Sequence, residues 1–122
     1  MNPTLIVFVV ILILILVYLY SRGESFIVKN KRNLVLYHAP WCKYCVEFMP
    51  EWNKLKASLM NSPPVARMVN ITEINCDEHE NYCAKKGISS YPTITYEFRD
   101  KVVKFEGKRN PENIRKFLEE NM

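Results

Sequence analysis

The chain has 122 residues, 48% hydrophobic and 25% charged, with 17 lysines and arginines against 13 aspartates and glutamates for a formal net charge of +4. That length holds one small domain. The modest cationic excess is scattered among acids, with no basic stripe, repeat or low-complexity tract, which argues against a nucleic-acid-binding surface.

Leu5 to Tyr20 is an unbroken run of aliphatic and aromatic residues, and the first twenty residues carry no charged side chain. A bilayer core of ~30 Å takes about 20 helical residues, with a lower limit near 17. Residues 1–21 therefore read as a single-pass transmembrane anchor, with Tyr18 and Tyr20 suited to the interface. A cleaved signal peptide is the rival reading. Ser21 and Gly23 have the small-x-small spacing of a cleavage site, although no Lys or Arg precedes the run and the run is long for a signal core. Residues 22–32 form a polar linker with room for an edge strand at Phe26–Val28, and 33–122 form the folded domain.

Within that domain "NLVLYH" reads as a buried strand ended by Ala39-Pro40. From Lys43, the positions Cys45, Phe48, Met49, Trp52, Leu55 and Leu59 repeat at three- and four-residue steps, the apolar face of a helix that contains Pro50 and stops at "SPP", 62–64. "ARMVNITEINC" predicts a second strand, and "DEHENYCAKKG" a short helix closed by Gly87. "TITYEF" and "KVVKFE" flank Arg99-Asp100 as an antiparallel hairpin. Asn110 caps a last helix that has Pro111 at its first position and buries Ile114, Phe117 and Leu118. This β-α-β-α-β-β-α order predicts a mixed α/β sheet with helices on both faces.

The chemistry concentrates in "HAPWCKYC", residues 38–45. Cys42 falls at the start of a helix, where unpaired N–H groups and the helix dipole stabilise a thiolate and lower its pKa. Lys43 adds a positive charge beside it. Cys45 lies one turn further in on the buried face. Such a pair divides its work: Cys42 attacks a substrate sulfur, and Cys45 resolves the mixed disulfide. Cys-x-x-Cys alone is also a zinc-site spacing.

"YHAPWCKYCVEFMPEW" resembles the active-site segment of protein disulfide isomerase catalytic domains, within the thioredoxin superfamily. The likeness rests on Ala39-Pro40-Trp41 before the first cysteine, and on Pro50 and Trp52 after the second. "GISSYPT" is similar to the family's cis-proline loop, and "FEGKRNPENIRKFLEE" to its final strand and helix. The resemblance covers roughly residues 33 to 121. It implies a thioredoxin-like fold, with Trp41, Tyr91 and Pro92 at the substrate site. The Tyr91 backbone would pair with an extended client segment, and Pro92 would keep metals off the thiols. It implies that Arg109 helps lower the pKa of the resolving cysteine. It also implies cysteine-containing protein clients, a redox partner, and no cofactor or metal beyond the dithiol.

Four departures stand out. Leu36 occupies the position, six residues before the first cysteine, where the family usually carries a buried acid for proton transfer. Glu73 replaces the usual lysine on the next strand, so either the carboxylate has moved across to the neighbouring strand or Glu73 is an exposed charge. Lys43-Tyr44 stands where Gly-His is common, and the family's first helix has no room in residues 21–32.

Some disulfide isomerase domains carry a structural bridge with the spacing of Cys76 and Cys83. Here it would close a small loop and contribute about 2–3 kcal/mol. Two free thiols, or a zinc site shared with His79, are the other readings. A disulfide argues for an oxidising compartment. Arg22, Lys29, Lys31 and Arg32 follow the hydrophobic run and argue for a cytosolic domain. The lumenal side is the preferred expectation. Asn70-Ile71-Thr72 is an N-glycosylation sequon readable on that side. The functional expectation is a membrane-anchored thiol–disulfide oxidoreductase, with a tethered adaptor module that binds clients without turnover as the alternative.

Overall fold

The computed structural model describes residues 1–21, 27 and 30–122. Helix α1, Pro3–Ser21, has no buried residue. It is long and apolar enough to cross a membrane, a test that signal sequences also pass. The edge strand expected at Phe26–Val28 lies outside the described residues, apart from Ile27.

Four strands, β1 (Arg32–His38), β2 (Val69–Asn75), β3 (Thr93–Phe98) and β4 (Lys101–Lys104), form one mixed sheet in the order β2-β1-β3-β4. β1 is central. It pairs in parallel with β2, Leu36 opposite Glu73, and antiparallel with β3, Leu36 opposite Ile94. Burial on both faces explains why Leu34 to Tyr37 is a continuous apolar run. β3 and β4 form the expected hairpin, turned at Arg99 with φ 56°.

The crossover from β1 to β2 carries α2 (Lys43–Met60) and α3 (Pro63–Met68). α2 runs through Pro50 and buries Cys45, Phe48, Trp52, Leu55 and Leu59. Phe48, Trp52, Leu55 and Leu59 pack with Leu34, Leu36, Ile94 and Tyr96, and with Ile114 and Leu118 of α5 (Pro111–Asn121). Asn110 caps α5, its side chain accepting from the Asn113 N–H at 2.8 Å. α3 corrects the sequence reading, in which Ala66 to Met68 opened the second strand. "SPP" ends α2, yet a serine followed by two prolines also suits a first helical turn, where the missing N–H groups are not needed.

The opposite face carries α4 (Glu80–Lys85), and among the described residues no helix lies between α1 and β1. Val35, Tyr37, Ile74, Cys76, Cys83 and Ile88 cluster there, with Ile27, Tyr82 and Tyr91 packed against them. Asn70 Nδ2, the sequon's acceptor atom, donates to Asn33 Oδ1 at 3.0 Å on β1. Glu97 is 1% exposed. Its carboxylate accepts from Tyr37 Oη, Thr95 Oγ1 and Lys86 Nζ, each at 2.7 Å. A buried charge is tolerable only when satisfied in this way.

Burial, then the Glu97 carboxylate, holds the Tyr37 hydroxyl far above the ordinary phenol range. Burial also raises Tyr82. For Lys86 burial acts against the charge, but the bond to Glu97 and its field prevail and raise the pKa. All three groups keep their protons more tightly folded than unfolded, so their contribution is complete below about pH 10 and falls above it, as the unfolded chain deprotonates first. Urea midpoints should therefore show no pH dependence from this cluster near neutrality and should decline above about pH 10. Tyr37→Phe should take up to about 1.4 kcal/mol per pH unit out of that alkaline slope.

Candidate active site

Cys42 is the N-cap of α2, with extended backbone, and its Sγ accepts from the Cys45 N–H at 3.1 Å. The chain reaches it through a tight turn after β1, closed by Cys42 N–H to Ala39 O at 3.1 Å. Cys42 and Cys45 are joined as a disulfide, Cα to Cα 5.2 Å. Both are nearly buried, at 6% and 3% exposure. They share a small core with Ala39, against which Tyr91 packs. The pair thus sits at the start of an 18-residue helix, with one of its first N–H groups, that of Cys45, donating to the Cys42 sulfur.

A groove of about 340 Å³ opens over Cys42, lined by Trp41, Lys43, Tyr44, Ser89, Ser90 and Tyr91. The Trp41 and Tyr91 rings meet edge to face, centroids 5.9 Å apart. Trp41 is largely exposed, yet its Nε1 donates to Asp77 Oδ1 at 2.9 Å, which fixes the ring beside the sulfur. The Tyr91–Pro92 peptide bond is cis, and Pro92 is buried.

The remaining candidates separate into three places. Lys43 is exposed, 3.9 Å from Glu47 one turn along α2. Arg109 lines a second groove of about 270 Å³ with Tyr44, Glu47, Phe48 and Glu51. Glu73 lies under α2, half-buried, its Oε1 accepting from Trp52 Nε1 at 2.8 Å and from Lys56 Nζ at 3.2 Å. It is the register partner of Leu36 on the neighbouring strand.

Cys76 and Cys83 are joined across the start of α4, Cα to Cα 5.8 Å, on the sheet face away from α2. The Cys76 N–H donates to His38 O at 2.8 Å, which ties the β2 end to the β1 end just before the dithiol. Among the described residues no group of three or more His, Cys, Asp or Glu side chains is placed to hold a metal ion.

The sequence reading missed Asp77, Tyr44, Ser89 and Ser90 as parts of this site. Asp77 had a usable signal: it follows Cys76 directly, and the Trp41 indole needs an acceptor. Tyr44 stands between the two cysteines, and the serines immediately precede Tyr91, so adjacency to chosen residues marked them all.

The family model for thioredoxin matches residues 20–120 of the chain. Protein disulfide isomerase-like 2-2 of Oryza sativa subsp. japonica is 36% identical over 100 residues, which span 80% of this chain and 26% of that protein. The probable protein disulfide-isomerase A6 of Medicago sativa is 38% identical over 97 residues, spanning 78% and 26% respectively. The chain therefore spans about a quarter of the length of these relatives. Among solved structures, the first thioredoxin domain of mouse protein disulfide-isomerase A4 superposes with a TM-score of 0.65 at 28% identity, covering 74% of this chain and 62% of that one.

Proposed function

The chain belongs to the thioredoxin family, and on that premise we propose that it is a membrane-anchored thiol–disulfide oxidoreductase acting on cysteine-containing protein clients. The observation that carries this reading is the position of Cys42: an N-cap sulfur, bridged to Cys45, at the floor of a groove walled by Trp41 and Tyr91. In the reducing direction the Cys42 thiolate attacks one sulfur of a client disulfide, and the client's other sulfur leaves as a thiolate that takes up a proton. Cys45, deprotonated, then attacks Cys42 Sγ, and the client's first sulfur leaves and is protonated in turn. The client gains two electrons and two protons, and the chain ends with Cys42 and Cys45 oxidised. The reverse sequence oxidises a client dithiol.

Helix α1 supports the anchor by its length and by having no buried face. We place the domain on the lumenal side, where a Cys76–Cys83 bridge would persist, against the bias of the basic residues that follow α1.

The test is equilibration of the full chain, in detergent, against redox buffers of graded potential, with alkylation to count free thiols. Cys42 and Cys45 should titrate as one two-electron couple between about −270 and −120 mV. A pair still oxidised below roughly −300 mV would rank with structural bridges and overturn the reading. In sealed membrane vesicles the intact chain, α1 included, should stay in the pellet at alkaline pH with its domain protected from added protease. Release, or digestion from outside, would overturn the anchor or the sidedness respectively.

A further inference from the structure

Tyr44, between the two cysteines, is 68% exposed, as exposed as Trp41 just before them. An isolated exposed ring is ordinary. Here the exposed rings of Trp41 and Tyr44 and the half-buried ring of Tyr91 line one groove over Cys42. Tyr44 also lines the neighbouring groove, together with Phe48 and Arg109. Tyr44 is therefore the residue common to the linings of both depressions.

We propose that Tyr44 is a specificity-determining residue, which with Trp41 selects client cysteines that have a large apolar side chain two positions away along the client. This rests on the oxidoreductase reading above and names the client sequence it prefers. A client lying extended in the groove presents alternate side chains to the same side, spaced about 6.6–6.8 Å apart. When its cysteine faces Cys42, the neighbours one position away point outward, and those two positions away point back at the protein. At that spacing a side chain meets the residues that flank Cys42 in the groove: Trp41 before it, or Tyr44 in the first turn of α2. Those rings offer aromatic surface to an apolar partner. A serine at the same client position buries nothing against them.

The experiment uses the full-length reduced chain in detergent and two synthetic disulfide-bonded peptides, identical except for leucine or serine two positions either side of each cysteine. Single-turnover reduction is followed by acid quenching and mass spectrometry over a range of chain concentrations. The half-saturating concentration should be about tenfold lower for the leucine peptide. Tyr44→Ala should lower that ratio to about threefold, Tyr44→Ala combined with Trp41→Ala should bring it to about one, and Tyr44→Phe should keep it at about tenfold, which separates ring contact from any general change in reactivity. Equal half-saturation of both peptides by the unaltered chain, or an undiminished preference in Tyr44→Ala, would overturn the inference alone. Failure to exchange with either peptide and with dithiothreitol would overturn the oxidoreductase reading, and the inference with it.

Discussion

Replacing Cys45 with alanine should leave the chain covalently attached to its clients, while replacing Cys42 should leave it attached to none. The groove that receives a client is lined by Cys42 and not by Cys45. Cys42 is also the sulfur that accepts a backbone N–H at the helix start, the arrangement that stabilises a thiolate. Cys45 lies one turn inside α2, and its task is the second displacement. Without it, the mixed disulfide on Cys42 can leave only by attack from outside, so adducts accumulate and multiple turnover falls to background in both variants. Non-reducing gels of the two variants, expressed at equal levels, separate the roles. Equal trapping by both, or by neither, would refute the division of labour.

Glu73→Gln should slow resolution of that mixed disulfide by about 10²-fold near neutral pH, the lower end of what a general acid–base group contributes. Resolution requires Cys45 to lose its proton, and Leu36 stands six residues before Cys42, where a buried acid was expected from the family resemblance. Glu73 is the residue paired with Leu36 across β1 and β2, half-buried on the α2 face and held by Trp52 and Lys56. A glutamine keeps an oxygen for the Trp52 N–H. It loses the ion pair to Lys56, which is 40% exposed and contributes at most about 1 kcal/mol. Stability should thus change little while the rate falls. Rapid-quench measurement of release from a preformed adduct reads this directly. An unchanged rate would assign Glu73 to holding Trp52 and Lys56 in place and nothing more.

The parts of the fold legible in the sequence were those whose signals are local. α2 announces itself by apolar spacing, α5 by Asn110 and Pro111, and the hairpin by alternation about Arg99-Asp100. α3 was misread because Ser62-Pro63-Pro64 stops one helix with the same residues that start another. Glu97 illustrates the harder limit. In "TITYEF" its alternation reads as facing solvent, yet it is buried, because its partners Tyr37 and Lys86 arrive from other elements. The dithiol was legible for the opposite reason: both cysteines, the capping position and the preceding tryptophan lie within five residues. What surrounds the dithiol was not. Asp77 reaches Trp41 because β1 and β2 pair to their ends, His38 opposite Asn75, and the Cys76 N–H bonds to His38 O just beyond.

The position of β1 has a mechanical consequence. In the proposed anchored state, with α1 held in a bilayer and Cys42 bonded to a client, any pull between the two travels along residues 22–42, and half of the described part of that path is β1 itself. A strand already rises about 3.3 Å per residue, close to the limit of an extended chain, so it has little length to yield. The helices, β3, β4 and the second cysteine bridge lie off this path, beyond the point where the client attaches. A client tugging against its captor therefore loads one taut central strand, braced on both sides by its neighbours, while the rest of the domain hangs slack and can stay folded.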